Sequence, residues 1–182
     1  MRGDDVVKQW VDWRSIPPQL ALAVVAAEDQ RFPTHFGFDF VQIQDAVETA
    51  MEGGRMRGAS TISQQTAKNL FLWSRRSFLR KGLEAYFTVL LEALWPKHRI
   101  LEVYLNVAQF GASEYGVGAA SRTFFGKPPG ELSRYQMSLL ASVLPDPVDL
   151  RADAPGDWLL ERAAFVRESM KSLGGVGYLR GI

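Results

Sequence analysis

A chain of 182 residues with 47% apolar content is sized for one compact domain with a real core. Twenty-one basic against twenty acidic residues leave a net charge of +1, which removes any argument from charge for a nucleic-acid partner, so an anion site has to be local. The absence of cysteine excludes disulfides, thiolate zinc sites and a cysteine nucleophile; no apolar run approaches the ~20 residues of a membrane span, and Met1-Arg2-Gly3-Asp4-Asp5 lacks a signal-peptide pattern, so the chain as given reads as soluble or peripheral.

The first expected helix opens at Pro17-Pro18, where proline at the first helical position costs no hydrogen bond, and runs through Leu20 to about Asp29. It is apolar nearly all round, hence buried. A second follows Asp39 as N-cap, places Phe40, Ile43, Val47 and Ala50 on one face and stops at Gly53-Gly54; the glycine-rich stretch to Gly58 is expected to be mobile. A third starts near Ser60 or Thr61, where Thr61-Ile62-Ser63-Gln64 has the form of a capping box, and continues to Leu72. The fourth, Ser77 to Trp95, is long and amphipathic: Leu79, Leu83, Tyr86, Phe87, Leu90 and Leu94 recur at helical steps, while Arg80, Glu84 and Thr88 share another face. Pro96 ends it. Further helices are expected from Lys97 to Asn106, from Ser133 (capping box to Gln136) to Leu144, and from Asp157 to Leu173. No run alternates as a strand does, and no repeat or interdomain linker interrupts the chain, so the fold class reads as mainly α.

Glu28 and Asp29 close the apolar first helix, where the helix dipole and a low-polarity wall both disfavour negative charge and push a carboxyl toward use as a base. Solvent exposure, or pairing with Arg31, accounts for the same residues and is the commoner arrangement. On the third helix Thr61, Gln65 and Lys68 line one stripe close to unpaired helix N–H groups, with Arg57 ahead of them. That set suits a phosphate or diphosphate; an ordinary solvated face is the alternative. Arg80 and Glu84, one turn apart, most cheaply form a surface ion pair worth roughly a few tenths of a kcal/mol. A second carboxylate on a rigid helix also suits sugar transfer. Arg75, Arg76, Arg80 and Lys81 beside Phe71-Leu72-Trp73 and Phe78 mix charge with apolar bulk, as interfacial segments do; a folded core under a basic rim explains them equally. His35 and His98 show no metal spacing and read as structural. No G-x-G-x-x-G, P-loop, H-E-x-x-H or pair of aspartates at a two-residue spacing occurs, which speaks against nucleotide-binding enzymes and metal-dependent sugar-nucleotide transferases.

Five segments fall in one order. They are Glu28-Asp29-Gln30-Arg31-Phe32 through His35-Phe36-Gly37-Phe38-Asp39; Arg57 to Leu70, containing Ser60-Thr61-Ile62-Ser63-Gln64-Gln65 and Lys68-Asn69; Arg80-Lys81-Gly82-Leu83-Glu84-Ala85; Ile100 to Asn106 with Phe110-Gly111; and Leu132-Ser133 with Leu139-Leu140-Ala141. In this the chain resembles the peptidoglycan glycosyltransferases, found as a domain of class A penicillin-binding proteins and as monofunctional enzymes. The resemblance covers roughly residues 20 to 147, with a helical segment at about 155–174 following in the same single domain. It departs from the family at Gln30, where arginine is frequent, at Phe36, where a second histidine is, and at Ala59, where a second glycine is usual. The chain has no S-x-x-K or K-T-G, so the penicillin-reactive half is absent and the monofunctional form is expected.

The resemblance implies a lysozyme-like domain with a flexible glycine-rich loop near a cleft that accepts lipid II and the growing glycan strand at the outer, periplasmic face of the bacterial cytoplasmic membrane. It implies Glu28 as the base that activates the acceptor sugar's 4-hydroxyl, and Glu84 as a second essential carboxylate. Lys68 and Arg80 would hold the leaving diphosphate, with Arg57, Ser60, Thr61, Gln65 and Asn69 assisting and Asp29, Arg31 and Lys81 in support. No protein metal site is implied; a divalent cation, Mg or Mn, would come with the substrate diphosphate. Other cell-wall synthesis and division proteins are expected partners. Family members of this form carry a transmembrane helix before the domain, and the expectation here is an excised piece or a lost anchor. Phe38, Phe40, Phe71, Leu72 and Trp73 are expected to dip into the bilayer. Two rivals stand beside this reading: a lysozyme-like hydrolase or lytic transglycosylase, and a catalytically silent membrane-binding module.

Overall fold

The structure is a computed structural model that describes residues 6–53, 60–75 and 77–182. In chain order these form β1 (Val7–Lys8), α1 (Pro18–Glu28), α2 (Phe40–Met51), α3 (Ile62–Phe71), α4 (Phe78–Leu94), α5 (Lys97–Val107), β2 (Glu114–Tyr115), α6 (Val117–Phe125), α7 (Arg134–Val143) and α8 (Asp157–Ser172), with a 3-10 segment at Gly175–Leu179. The fold is mainly α and lysozyme-like, as the helical periodicity and the resemblance predict. The expected mobile stretch, Arg57 and Ala59 fall on residues 54–59, outside those described.

Pro18 starts α1, and the unbroken run from Leu20 to Ala26 carries it, fully buried, through the middle of the molecule. One side of α1 is covered by α7, α8 and the 3-10 segment, while α3 packs against α4 and α5. A single apolar core joins these groups, with Leu20, Leu22, Ile62, Leu101, Tyr104 and Leu139 among its members. Each such leucine contributes about 1.5–3 kcal/mol by leaving water. Both expected capping boxes are present: Thr61 with Gln64 at α3, and Ser133 with Gln136 at α7.

Two features were not anticipated. Val7 and Lys8 pair in parallel with Glu114 and Tyr115, and α6 follows. The strand-bearing amino-terminal segment is stapled to α5: Glu102 accepts from the Trp13 N–H at 2.9 Å, and the Asn106 amide accepts from the Val11 N–H at 2.7 Å and donates to the Val11 carbonyl at 2.9 Å. Two polar residues of the Ile100 to Asn106 motif therefore do structural work. Gly116, at φ +84°, admits α6 here, since a Cβ would stand 2.6 Å from the Asn106 carbonyl oxygen.

The amphipathic stripes of α2 and α4 are only partly covered: Phe87 packs on the core and Ile43, Leu83 and Leu90 are half-buried, but the rest lies at the surface. In α2 only Ala46 is buried, while Phe40, Val47 and Met51 are exposed. In α4 Leu79, Tyr86 and Leu94 are exposed, and the inward face carries Glu84, Thr88, Leu91 and Glu92. Glu92 is satisfied by Lys97 at 2.7 Å and the Ser63 hydroxyl at 2.5 Å, so the polar inward face costs no unpaired charge there.

Candidate active site

The end of α1 is built into the start of α3. Asp29, the C-cap of α1, is buried; its carboxylate accepts from the Ile62 N–H at 2.9 Å and faces His35 Nε2 at 2.9 Å. Each such charge-assisted bond is worth about 1.5–3 kcal/mol. Thr61 is also buried: its hydroxyl donates to the Gly37 carbonyl at 2.6 Å and accepts from the Gln64 N–H at 3.2 Å. The α3 N-terminus is thus occupied by the Asp29 carboxylate and the Thr61 hydroxyl, not open for an anion as the sequence implied. Gly37, at φ +79°, makes this join possible, because a Cβ there would meet Thr88 Cγ2 at 2.7 Å. Arg31 pairs with Asp39 at 3.5 Å rather than with Glu28 or Asp29, and Asp39 caps α2 through the Val41 and Gln42 N–H groups.

Glu28 stands apart from this scaffold. Its Oε2 accepts from Gln65 Nε2 at 3.0 Å, and its Oε1 lies 3.5 Å from Arg162 Nη2. Gln65 is itself oriented by the Tyr104 hydroxyl, which donates to Gln65 Oε1 at 3.0 Å and so turns the amide nitrogen toward Glu28. Burial holds the Tyr104 phenol well above its usual 10.0, keeping it a donor. Burial also raises the Glu28 carboxyl above its ordinary 4.5; the Gln65 hydrogen bond and the charges of Arg162 and Lys68 oppose this, and Asp29 adds to it. Burial being the largest influence, Glu28 is tuned toward accepting a proton.

On the other side of Gln65 a cavity of about 470 Å³ is lined by Ser60, Gln65, Lys68, Ser74, Arg80, Lys81 and Glu84. Three cations to one carboxylate leave it net positive. Glu84, expected as half of a surface ion pair, is buried and bonded through both oxygens, to Arg80 at 3.0 Å and to Lys81 at 2.5 Å. Arg80 keeps a buried Nε without a partner among the described residues. Burial lowers the Lys68 ammonium below its usual 10.5, with Glu84 opposing.

Two further lobes meet at Gln65. One, of about 570 Å³, surrounds Glu28 and is walled by Gln42, Trp158, Arg162 and Phe165. The other, a groove of about 780 Å³, holds Asn69 with Trp10, Trp73 and Tyr115. Sequence reasoning placed Glu28, Ser60, Gln65, Lys68, Asn69, Arg80, Lys81 and Glu84 here, and the structure brings them to one connected cleft. It does not bring Thr61 or Arg31 to the cleft surface. Arg162 and Tyr104 were missed. Tyr104 lay within a quoted motif, but Arg162 sits 134 positions from Glu28 with no local pattern to mark it.

Among the described residues no three carboxylate or imidazole groups cluster as metal ligands, and no helix is long and apolar enough to cross a membrane. A family model described as transglycosylase matches residues 2–171. The chain is 54% identical over 175 residues to a biosynthetic peptidoglycan transglycosylase of Pseudomonas fluorescens, covering 96% of this chain and 73% of that one. Proteins of the same description from Pseudomonas aeruginosa and Chromohalobacter salexigens are 53% identical over 175 residues and 50% over 174, covering 96% of this chain in each case and 75% and 74% of theirs.

Proposed function

The chain belongs to the transglycosylase family and is a peptidoglycan glycosyltransferase, and from that premise we propose how its cleft polymerises lipid II. Glu28 takes the proton of the acceptor sugar's 4-hydroxyl as that oxygen attacks the anomeric carbon of the growing strand. The bond from that carbon to the diphosphate breaks, its electron pair leaves with the diphosphate, and a β-1,4 linkage forms with inversion. Lys68 and Arg80 receive the developing negative charge, helped by Lys81. Glu84, with both oxygens engaged, positions Arg80 and Lys81 rather than moving a proton.

The observation that carries this reading is the pairing, across Gln65, of a buried carboxylate and a net positive lobe. Glycan cleavage by the usual route needs a second working carboxyl flanking the bond. Here Asp29 is consumed in capping α3 and Glu84 in its two ion pairs. Among the described residues Glu84 is the only carboxylate of the cationic lobe, so those side chains do not make a metal cage, and a divalent cation belongs with the diphosphate. The test is a gel assay: lipid II should give glycan strands, and finished strands should not be shortened. Chelator is expected to slow polymerisation without lowering the protein's melting temperature. Cleavage of finished strands without synthesis would overturn the reading.

The exposed apolar residues of α2 and α4 support the reading that the cleft works at the outer surface of the cytoplasmic membrane, against the lipid that carries the substrate. Phe40, Phe71 and Trp73 are exposed, as are Phe78 and Met51, which extend the same character. Phe38 and Leu72 are half-buried beside them. Replacing Phe40, Phe71 and Phe78 together by alanine is expected to weaken liposome co-sedimentation by about tenfold or more. Unchanged binding would remove the membrane assignment. Association with other cell-wall synthesis and division proteins belongs to the same reading, with no surface assigned to it.

A further inference from the structure

We propose that Arg162, on α8, is a positioning residue for the base: it orients the Glu28 carboxylate and supplies the positive charge that faces its working oxygen, Oε1. This rests on the reading of Glu28 as the base.

The two oxygens of Glu28 are held differently. Oε2 takes a neutral hydrogen bond from Gln65 at 3.0 Å; Oε1 faces Arg162 Nη2 at 3.5 Å, while the same nitrogen donates to the Ala27 carbonyl at 3.3 Å. The guanidinium also lies over the Trp158 ring, 5.7 Å from its centroid, and its buried Nε has no partner among the described residues. Hydrogen bonding weakens steeply near 3.5 Å, whereas charge attraction falls only as the inverse of distance. Arg162 therefore favours the ionised carboxylate without saturating the lone pairs of Oε1. A short two-pronged pair would quench the basicity that the reaction needs.

Among the described residues four charged or titratable groups bear on Glu28. Asp29, its neighbour in sequence, is tied to His35 and the Ile62 N–H. Tyr104 of α5 stays protonated and acts through Gln65. Lys68 of α3 lowers the Glu28 affinity for protons less than Arg162 does, and it feels Glu84 more strongly than Glu28. Among the described residues Arg162 is thus the main cation on the base. Nor is it needed to dock α8, which Leu159, Ala163 and Val166 already bury against the core.

The test compares Arg162→Met, Arg162→Gln and Arg162→Lys in polymerisation of lipid II across pH, with melting temperatures alongside. The neutral variants should lose roughly tenfold in kcat/KM at neutral pH, with the acid limb moved to higher pH so that the loss shrinks as pH rises. Arg162→Lys should return the limb most of the way. Arg162→Gln preserves a donor for the Ala27 carbonyl and covers the case in which methionine disturbs packing. A loss equal at every pH, a rise in KM with an unmoved limb, or a lysine variant as impaired as methionine would each overturn the proposal. Glu28→Gln in the same assay separates the two readings: turnover there sinks the base assignment itself, whereas an inactive Glu28→Gln with an unmoved limb sinks only the role of Arg162.

Discussion

Glu28→Gln is expected to lower glycan-strand formation by at least ~10²-fold while leaving the fold and lipid II binding intact. Glutamine preserves the acceptor for Gln65 Nε2 but cannot take the proton. Stability gives an independent check. Because burial raises the Glu28 carboxyl above its ordinary 4.5, the native state holds this proton more tightly than the unfolded chain. Its contribution is fully present below that ordinary value and is lost as pH rises through the raised one. At neutral pH the ionised side chain is therefore a cost, and the glutamine variant should melt no lower than the parent. A variant that is inactive and also melts several degrees lower would mark Glu28 as structural. Full activity with unchanged melting would end the base assignment.

What the sequence could show depended on the range of the interaction. The start of α3 and of α7 was legible because a capping box is a contact three residues long. The burial of α1 was legible because a helix apolar on every side has only one place to go. The direction faced by α2 and α4 was not, since a periodic stripe specifies a face but not what covers it. Much of those two stripes lies outward, with Phe40 at 74%, Leu79 at 70% and Leu94 at 73% exposed, although Phe87 packs on the core. That arrangement would be unfavourable in water and becomes sensible at a lipid surface. α6 was hidden by its composition: Gly116-Val117-Gly118-Ala119-Ala120 reads as a loop. Its small residues admit the segment that follows the amino-terminal strand, since a Cβ on Gly118 would collide with the Gln9 carbonyl oxygen and stand 2.7 Å from Val11 Cγ2.

The site shows the same division. Thr61 caps the helix that carries Gln65 and Lys68, so a buried capping hydroxyl stands in line with two cleft residues, and helical spacing does not tell them apart. By local pattern alone Glu28 and Asp29 are alike as adjacent acids at a helix end, and only the resemblance singles out Glu28. The structure adds the physical difference: Asp29 is committed to His35 and the Ile62 N–H, while Glu28 bonds Gln65 at the cleft.

Lys68→Met should lower kcat for polymerisation by about 10²–10³-fold, the loss that follows removal of one group stabilising charge in the transition state, with little change in acceptor KM. Lys68 has no capping or packing duty comparable to those of Asp29 and Thr61, and burial holds its ammonium below 10.5 despite the opposing charge of Glu84. For a lysine so shifted the unfolded chain binds the proton more tightly, so the charged side chain costs stability at neutral pH, and that cost fades as pH rises from the lowered value and is gone above the ordinary one. Methionine, of similar length and without charge, should leave the melting temperature unchanged or raise it. Glu84→Gln makes the contrast, because it strands Arg80 and Lys81 around a buried carboxylate site and should cost about 3–5 kcal/mol in urea unfolding as well as activity. Loss of activity with stability kept at Lys68, and loss of both at Glu84, would divide the cationic lobe into a group that meets the diphosphate and a group that holds its neighbours in place. Near-normal turnover in Lys68→Met would instead move the leaving-group site away from this lobe.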